Sequence, residues 1–172
     1  MEDVVEKTVA RCEEYRLKKY HCAESSIRAC SEVLNIKLSN DILRIASGFR
    51  GGGGGYGDRC GVLESGIMLI SFLYGREKSN VDVSDYSYLV RVLHDRFNAE
   101  LGGYYCRGLR PFAYRLSGEQ QNCGYIYRKG TEIVAQLLVD APRLIKEMPE
   151  TEKYGRSPLR PYEKIPTEPT ET

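Results

Sequence analysis

A run of glycines between two helical stretches constrains this chain more than any other feature: Gly48-Phe49-Arg50-Gly51-Gly52-Gly53-Gly54-Gly55-Tyr56-Gly57-Asp58-Arg59-Cys60-Gly61. Five consecutive glycines cost backbone entropy and supply no packing. The segment is therefore expected to be a loop whose main chain enters left-handed conformations or comes close to another group. Residues 62–73, directly after it, are apolar on nearly every side, which predicts a buried central helix ending at Tyr74-Gly75. Cys60 then stands at the N-terminus of that helix, beside Arg59 and with Arg50 across the loop. Backbone N–H groups and positive charge favour the thiolate, so Cys60 is expected to ionise readily and to attack a disulfide or bind a metal. The competing reading is a cysteine that simply caps a buried helix.

Apolar periodicity places further helices on either side. Val4 to Tyr20 reads as an amphipathic helix, and a second begins near Cys22 and runs through Leu34. Ser39 or Asn40 is a suitable N-cap for a short helix that stops at Gly48. Ser84 is the expected cap of a helix through Phe97 that ends at Leu101-Gly102-Gly103. Residues 104–122, with Cys106, Gly108, Pro111 and Gly118, read as irregular. A last long helix begins near Asn122 or Cys123, with a kink or break at Pro142. No alternating strand pattern is present. The expectation is an all-α fold, a single-domain bundle of five to six helices over residues 1–148. Residues 149–172 hold five of the seven prolines and are expected to form an extended or disordered tail.

Bulk properties exclude several classes. The net charge of +1 gives no electrostatic reason to expect nucleic acid or an anionic membrane as partner. The longest apolar stretch is well short of the roughly twenty residues that span a bilayer. The N-terminus is acidic and lacks signal-peptide character, so a cytoplasmic protein is expected. In that reducing setting the six cysteines, at 12, 22, 30, 60, 106 and 123, read as metal ligands, redox groups or core residues rather than structural disulfides. There is no Cys-x-x-Cys, so a shared cysteine site has to be assembled from distant segments by the fold.

Other candidates are weaker. Gly52 to Gly57 matches Gly-x-Gly-x-x-Gly, but the preceding Asp41–Ser47 reads as helix, not the strand a dinucleotide fold needs. Gly51, Gly52, Gly53 and Arg59 remain candidates for contacting a cofactor, whether a flavin or nucleotide phosphate or the sulfurs of a cluster. His21 is a candidate ligand next to Cys22, whereas His94 reads as a solvated helical histidine. Glu64, in the first turn of the central helix, suits the helix dipole better than proton transfer near Cys60. The thirteen tyrosines read as core and interface residues.

Four cysteine-bearing segments recur in a recognisable order. They are Tyr20-His21-Cys22-Ala23-Glu24-Ser25, then Ala46-Ser47-Gly48-Phe49 with the glycine run and Cys60-Gly61-Val62, then Tyr104-Tyr105-Cys106-Arg107, and finally Asn122-Cys123-Gly124. Over roughly residues 8 to 146 the chain resembles the C_GCAxxG_C_C family of redox-active proteins, named for its four cysteines. It departs from the central motif, with Arg59-Cys60-Gly61 in place of Gly-Cys-Ala, and with Val62 and Ser65 at small positions downstream. A similar module accompanies the haems of split-Soret cytochromes, but no haem-attachment motif is present here.

The resemblance implies one site from Cys22, Cys60, Cys106 and Cys123, with Cys12 and Cys30 as core residues. It implies electron transfer or thiol–disulfide exchange, the latter led by Cys60 with Cys22, by an oxidoreductase or an electron carrier. The implied cofactor is an iron–sulfur cluster first and zinc second. The implied partner is a redox protein, and a homodimer is compatible with the tyrosine content. Two readings stand beside it: a zinc-stapled helical interaction module, and a flavin or nucleotide binder using the glycine loop.

Overall fold

The computed structural model describes residues 2–119 and 122–153. Within them the chain forms seven α-helices: α1 (Glu2–Leu17), α2 (Cys22–Val33), α3 (Asn40–Ile45), α4 (Gly61–Tyr74), α5 (Ser84–Leu101), α6 (Cys106–Ser117) and α7 (Gly124–Lys146). Two 3₁₀ turns, Ala46–Phe49 and Glu150–Glu152, complete the described elements. Among these residues no strand forms, so the all-α expectation holds. None of the helices is long and apolar enough to cross a membrane.

Local chemistry sets the boundaries. Ser39 Oγ accepts the Ile42 N–H at 3.4 Å to start α3. The Asp82 carboxylate accepts both the backbone N–H and the hydroxyl of Ser84, at 3.0 and 2.7 Å. Ser84 is thus the first residue of α5 rather than its cap. Gly102 ends α5 in the left-handed conformation, φ 74°, and donates to the Asn98 carbonyl at 2.9 Å.

α4 is the centre of the bundle and packs against α2, α5 and α7; α1 lies across α2 and α7. Phe97, Leu63, Leu69, Ile70, Leu89, Leu93, Leu137 and Val134 are fully buried at these contacts, each worth roughly 1.5–3 kcal/mol. The helices approach closely where side chains are missing. A methyl group on Gly66 would meet Leu93 Cδ2 at 2.7 Å and Val134 Cγ2 at 2.9 Å.

Two expectations need correction. The bundle has seven α-helices where five to six were expected, because residues 104–122 are not irregular: α6 occupies most of them. Its buried side chains Cys106, Leu109 and Ala113 do follow a helical stripe. Gly108 and Pro111 obscure that stripe in the sequence, and Pro111 forfeits a single interior hydrogen bond. Pro142, likewise, neither breaks nor ends α7. At the tail, Pro149 leads into a 3₁₀ turn, and Arg91 Nε binds Glu152 Oε2 at 3.0 Å. The remainder of the expected tail, residues 154–172, lies outside the described residues.

Candidate functional site

The glycine loop explains its own composition. Gly51, Gly52, Gly53 and Gly54 have φ of 60°, 73°, 77° and 62°, a run of positive-φ backbone that costs any other L-residue roughly 1–2 kcal/mol at each position. The loop closes on itself. The N–H groups of Gly54, Gly55, Tyr56, Gly57 and Asp58 donate to the carbonyls of Gly48, Arg50, Gly53, Gly51 and Gly52, at 2.8 to 3.0 Å. Those five amides are used internally, which argues against the loop as a phosphate cradle.

This closed loop delivers residues 57–60 alongside residues 104–107. Cys60 N–H donates to the Tyr104 carbonyl at 2.8 Å, Cys106 N–H to Asp58 at 2.7 Å, and Arg107 N–H to Gly57 at 3.0 Å. Arg59 and Tyr105 form the antiparallel bridge between them. Because side chains alternate across such a pairing, Cys60 and Cys106 fall on the same face, one diagonal step apart. Forty-six residues of sequence separation are cancelled by three hydrogen bonds.

The other two cysteines arrive from the opposite side. Cys22 is the first residue of α2, and Cys123 directly precedes α7. Cys22 Sγ rests in the notch left by Gly61, where an added methyl group would stand 2.5 Å from the sulfur and 2.8 Å from the Phe49 carbonyl oxygen. All four thiols line one cavity of about 250 Å³, together with Arg16, Arg50, Arg110, Tyr114 and Tyr127. Each cysteine also stands at, or one residue before, a helix N-terminus: those of α2, α4, α6 and α7. Four positive helix ends and three arginines therefore surround four sulfurs.

Burial opposes that field. Cys60 is 5% exposed. Its thiol is held well above the usual range by desolvation first and by neighbouring Cys22 second, although the Val62 and Leu63 N–H groups favour its thiolate. Desolvation and Cys22 likewise push Cys106 up to about 11, while Arg110 pulls it down. Cys123 is raised by burial and lowered by Arg110. The expectation that Cys60 ionises readily is corrected accordingly: the helix N-terminus is present, but desolvation outweighs it. Arg59 does not help, because its Nε binds Glu64 Oε1 at 2.7 Å.

That ion pair gives Glu64, 7% exposed, a structural role. His94 Nδ1 is hydrogen-bonded to the Val90 carbonyl at 2.8 Å, and its ring meets Tyr104 edge-on, away from the cavity lining. His21 does line the cavity. Of the cofactor-contact candidates Gly51 reaches the lining, whereas Gly52, Gly53 and Arg59 do not. Arg16, Arg110, Tyr114 and Tyr127 carry no motif and were not legible as site residues; only the convergence of α1, α6 and α7 reveals them. Cys12 and Cys30 are fully buried and outside the lining.

The thiols surround a cavity rather than a point. A single zinc ion needs its sulfur ligands about 2.3 Å from one centre. Among the described residues, no three His, Cys, Asp or Glu side chains are grouped to hold a metal ion in that way.

The family model described as "Putative redox-active protein (C_GCAxxG_C_C)" matches residues 20–137, a span that takes in all four cavity cysteines and the glycine loop. An uncharacterised protein of Archaeoglobus fulgidus is 31% identical over 144 residues, covering 78% of this chain and 95% of that protein. No solved structure matches the chain. With the four cysteines on one cavity and the family model spanning them, the chain belongs to the C_GCAxxG_C_C family.

Proposed function

We propose that this protein transfers electrons through an iron–sulfur cluster held by Cys22, Cys60, Cys106 and Cys123. The observation that carries the reading is the convergence of four thiols, two buried and two half-buried, each at or just before a helix N-terminus, on one arginine-lined cavity. Buried neutral thiols are poor nucleophiles, since a reactive cysteine is normally low in pKa and partly exposed. A cationic group in the cavity removes that difficulty, because ligation deprotonates a thiol outright. A bound cluster would supply one-electron exchange, with a potential set by charge, hydrogen bonds to sulfur and solvent exposure.

The chain's own residues prepare the cavity for the net negative charge of a cluster together with its thiolate ligands. The Val62 and Leu63 N–H groups face Cys60. Arg110, whose Nε donates to Tyr114 Oη at 2.7 Å, lowers the cost of charge on Cys106 and Cys123. Leu109 and Ile126 limit the water that can enter. Gly61 leaves the room that Cys22 needs.

A second reading has its own support. Cys22 Sγ rests against Gly61, the residue after Cys60, so a reversible Cys22–Cys60 disulfide is the alternative redox couple. Its formation would release two protons and two electrons to an acceptor.

Anaerobic purification followed by a visible spectrum and a dithionite titration tests the proposal. A broad brown absorption that bleaches reversibly supports the cluster. A colourless protein with a dithiothreitol-reducible Cys22–Cys60 link would move the function to thiol–disulfide exchange. Six thiols that stay free under oxidant, without colour, would end both readings.

A further inference from the structure

We propose that the exposed face formed by Arg50, Tyr56 and Arg107 beside the thiol cavity is a docking surface for an acidic face of a partner protein. The assignment rests on reading the cavity as a redox site, and it names the kind of partner that site exchanges electrons with.

The first observation is two unneutralised charges beside the cavity. Several basic side chains elsewhere face carboxylates: Arg91 with Glu152, Arg96 with Asp140, and Lys129 with both Glu100 and Glu132. Arg50 and Arg107 are exposed, and among the described residues neither has a carboxylate partner. Arg110 stands just inside the cavity, bound to a tyrosine hydroxyl rather than an acid. Asp58 is the acidic side chain on this loop, and it leaves the face net positive on a chain whose overall charge is only +1.

The second observation is how firmly the face is built. Arg107 Nε donates to the Gly57 carbonyl at 3.1 Å, and its guanidinium lies 5.9 Å from the centre of the Tyr56 ring. Tyr56 is 81% exposed at the tip of the loop. Five internal hydrogen bonds hold the loop that presents it, so a partner would pay little to order it. Arginine and tyrosine on a rigid, exposed support are the residues that anchor protein interfaces.

Third comes position. Arg107 follows Cys106 in the chain, Arg50 lines the cavity, and the Tyr56 loop leads into Cys60. A partner seated here would face two of the four thiols. A small anion is the less suitable occupant, because the loop amides from Gly54 to Asp58 are already bonded, and Tyr56 and Arg107 lie outside the cavity lining.

A fluorescently labelled polyglutamate peptide is the probe, with polylysine of equal length as its control. Binding is read by anisotropy at low and at high ionic strength. Polyglutamate is expected to bind at low salt and to be released by salt. The Arg50→Glu/Arg107→Glu double variant is expected to weaken binding about tenfold or more, and Tyr56→Ala about threefold. The Lys37→Glu/Lys78→Glu variant, which reverses two exposed lysines elsewhere, should bind normally; circular dichroism checks that each variant is folded.

No binding at low salt, or an equal loss in the lysine variant, would overturn the proposal. So would inorganic pyrophosphate that binds one-to-one at this face and displaces the peptide with higher affinity, since that result marks a small-anion pocket. Iron measured on the same samples separates the two layers. Iron without peptide binding removes the docking surface alone. Peptide binding without iron or a disulfide removes the redox reading on which it rests.

Discussion

The molecule has two populations of cysteine, and their surroundings differ in one decisive respect. Cys12 and Cys30 lie inside the α1–α2 layer, fully buried. Thr131 Oγ1 donates to Cys12 Sγ at 3.2 Å, and Ser26 is the polar neighbour of Cys30. Their sulfurs behave as small apolar groups packed among other groups. Cys60 and Cys106 are nearly as hidden from solvent and Cys22 and Cys123 are half-buried, yet all four face an open volume ringed by helix N-termini and arginines. Both sets have raised thiol pKa values where a shift is resolved, and both owe them first to desolvation. Burial therefore does not distinguish core from site. What distinguishes them is whether the thiols share a space that something else can fill.

Two neighbouring glycines on α4 break the comparison most sharply. Gly61→Ala drives a methyl group against Cys22 Sγ and the Phe49 carbonyl, whereas Gly66→Ala presses only on Leu93 and Val134. Overpacking costs each about 1–3 kcal/mol, measurable as a lower midpoint in urea. Only Gly61→Ala is expected to lose the cavity's occupant and the normal reactivity of Cys22. Equal retention of iron by both would mean that the Cys22 notch is ordinary packing.

The core pair gives a smaller effect of the opposite kind. Cys12→Ala leaves the buried Thr131 hydroxyl without its sulfur acceptor, at about 1–3 kcal/mol. Cys30→Ala removes one packed atom, at about 1 kcal/mol. Neither is expected to alter metal content or the visible spectrum, and a changed spectrum in either would merge the two populations.

Alkaline pH has the mildest effect and serves to sharpen the picture. Cys12 and Cys106 are each raised from 9.0 to about 11 in the folded chain. A thiol that holds its proton more tightly when folded contributes stability below its unfolded value and loses it as pH climbs through the folded one. The reduced, metal-free protein is expected to lose stability between about pH 9 and about pH 11. Iodoacetamide labelling of Cys106 should rise over the same window. Rapid labelling of Cys106 at neutral pH would show a thiolate that the geometry does not favour.

Much of this was legible in the sequence. The periodicities of α2, α4, α5 and α7 and the Ser39 cap of α3 placed those helices close to where they lie. The glycine run also announced left-handed backbone, because few other residues occupy it cheaply. α6 was hidden because Gly108 and Pro111 are local breakers that tertiary packing of Cys106, Leu109 and Ala113 overrides. The four cysteines that share the cavity were legible as a set through the resemblance, but their arrangement was not. A thiol's neighbours decide its ionisation, and no local pattern shows that Arg59 turns to Glu64 while Arg110 turns to the cavity. Convergence across 38, 46 and 17 residues depends on a single backbone bridge and on four helix ends meeting.

The most direct test is iron and acid-labile sulfide per chain, measured anaerobically after reconstitution. It compares the wild type with the four single serine variants at positions 22, 60, 106 and 123, and with the Cys12→Ser/Cys30→Ser double variant. The account predicts stoichiometric iron and sulfide in the wild type and in the double variant, and a loss or marked depletion in each of the four. Iron and sulfide that are absent from the wild type, or that depend on Cys12 and Cys30 as strongly as on the cavity cysteines, would contradict it.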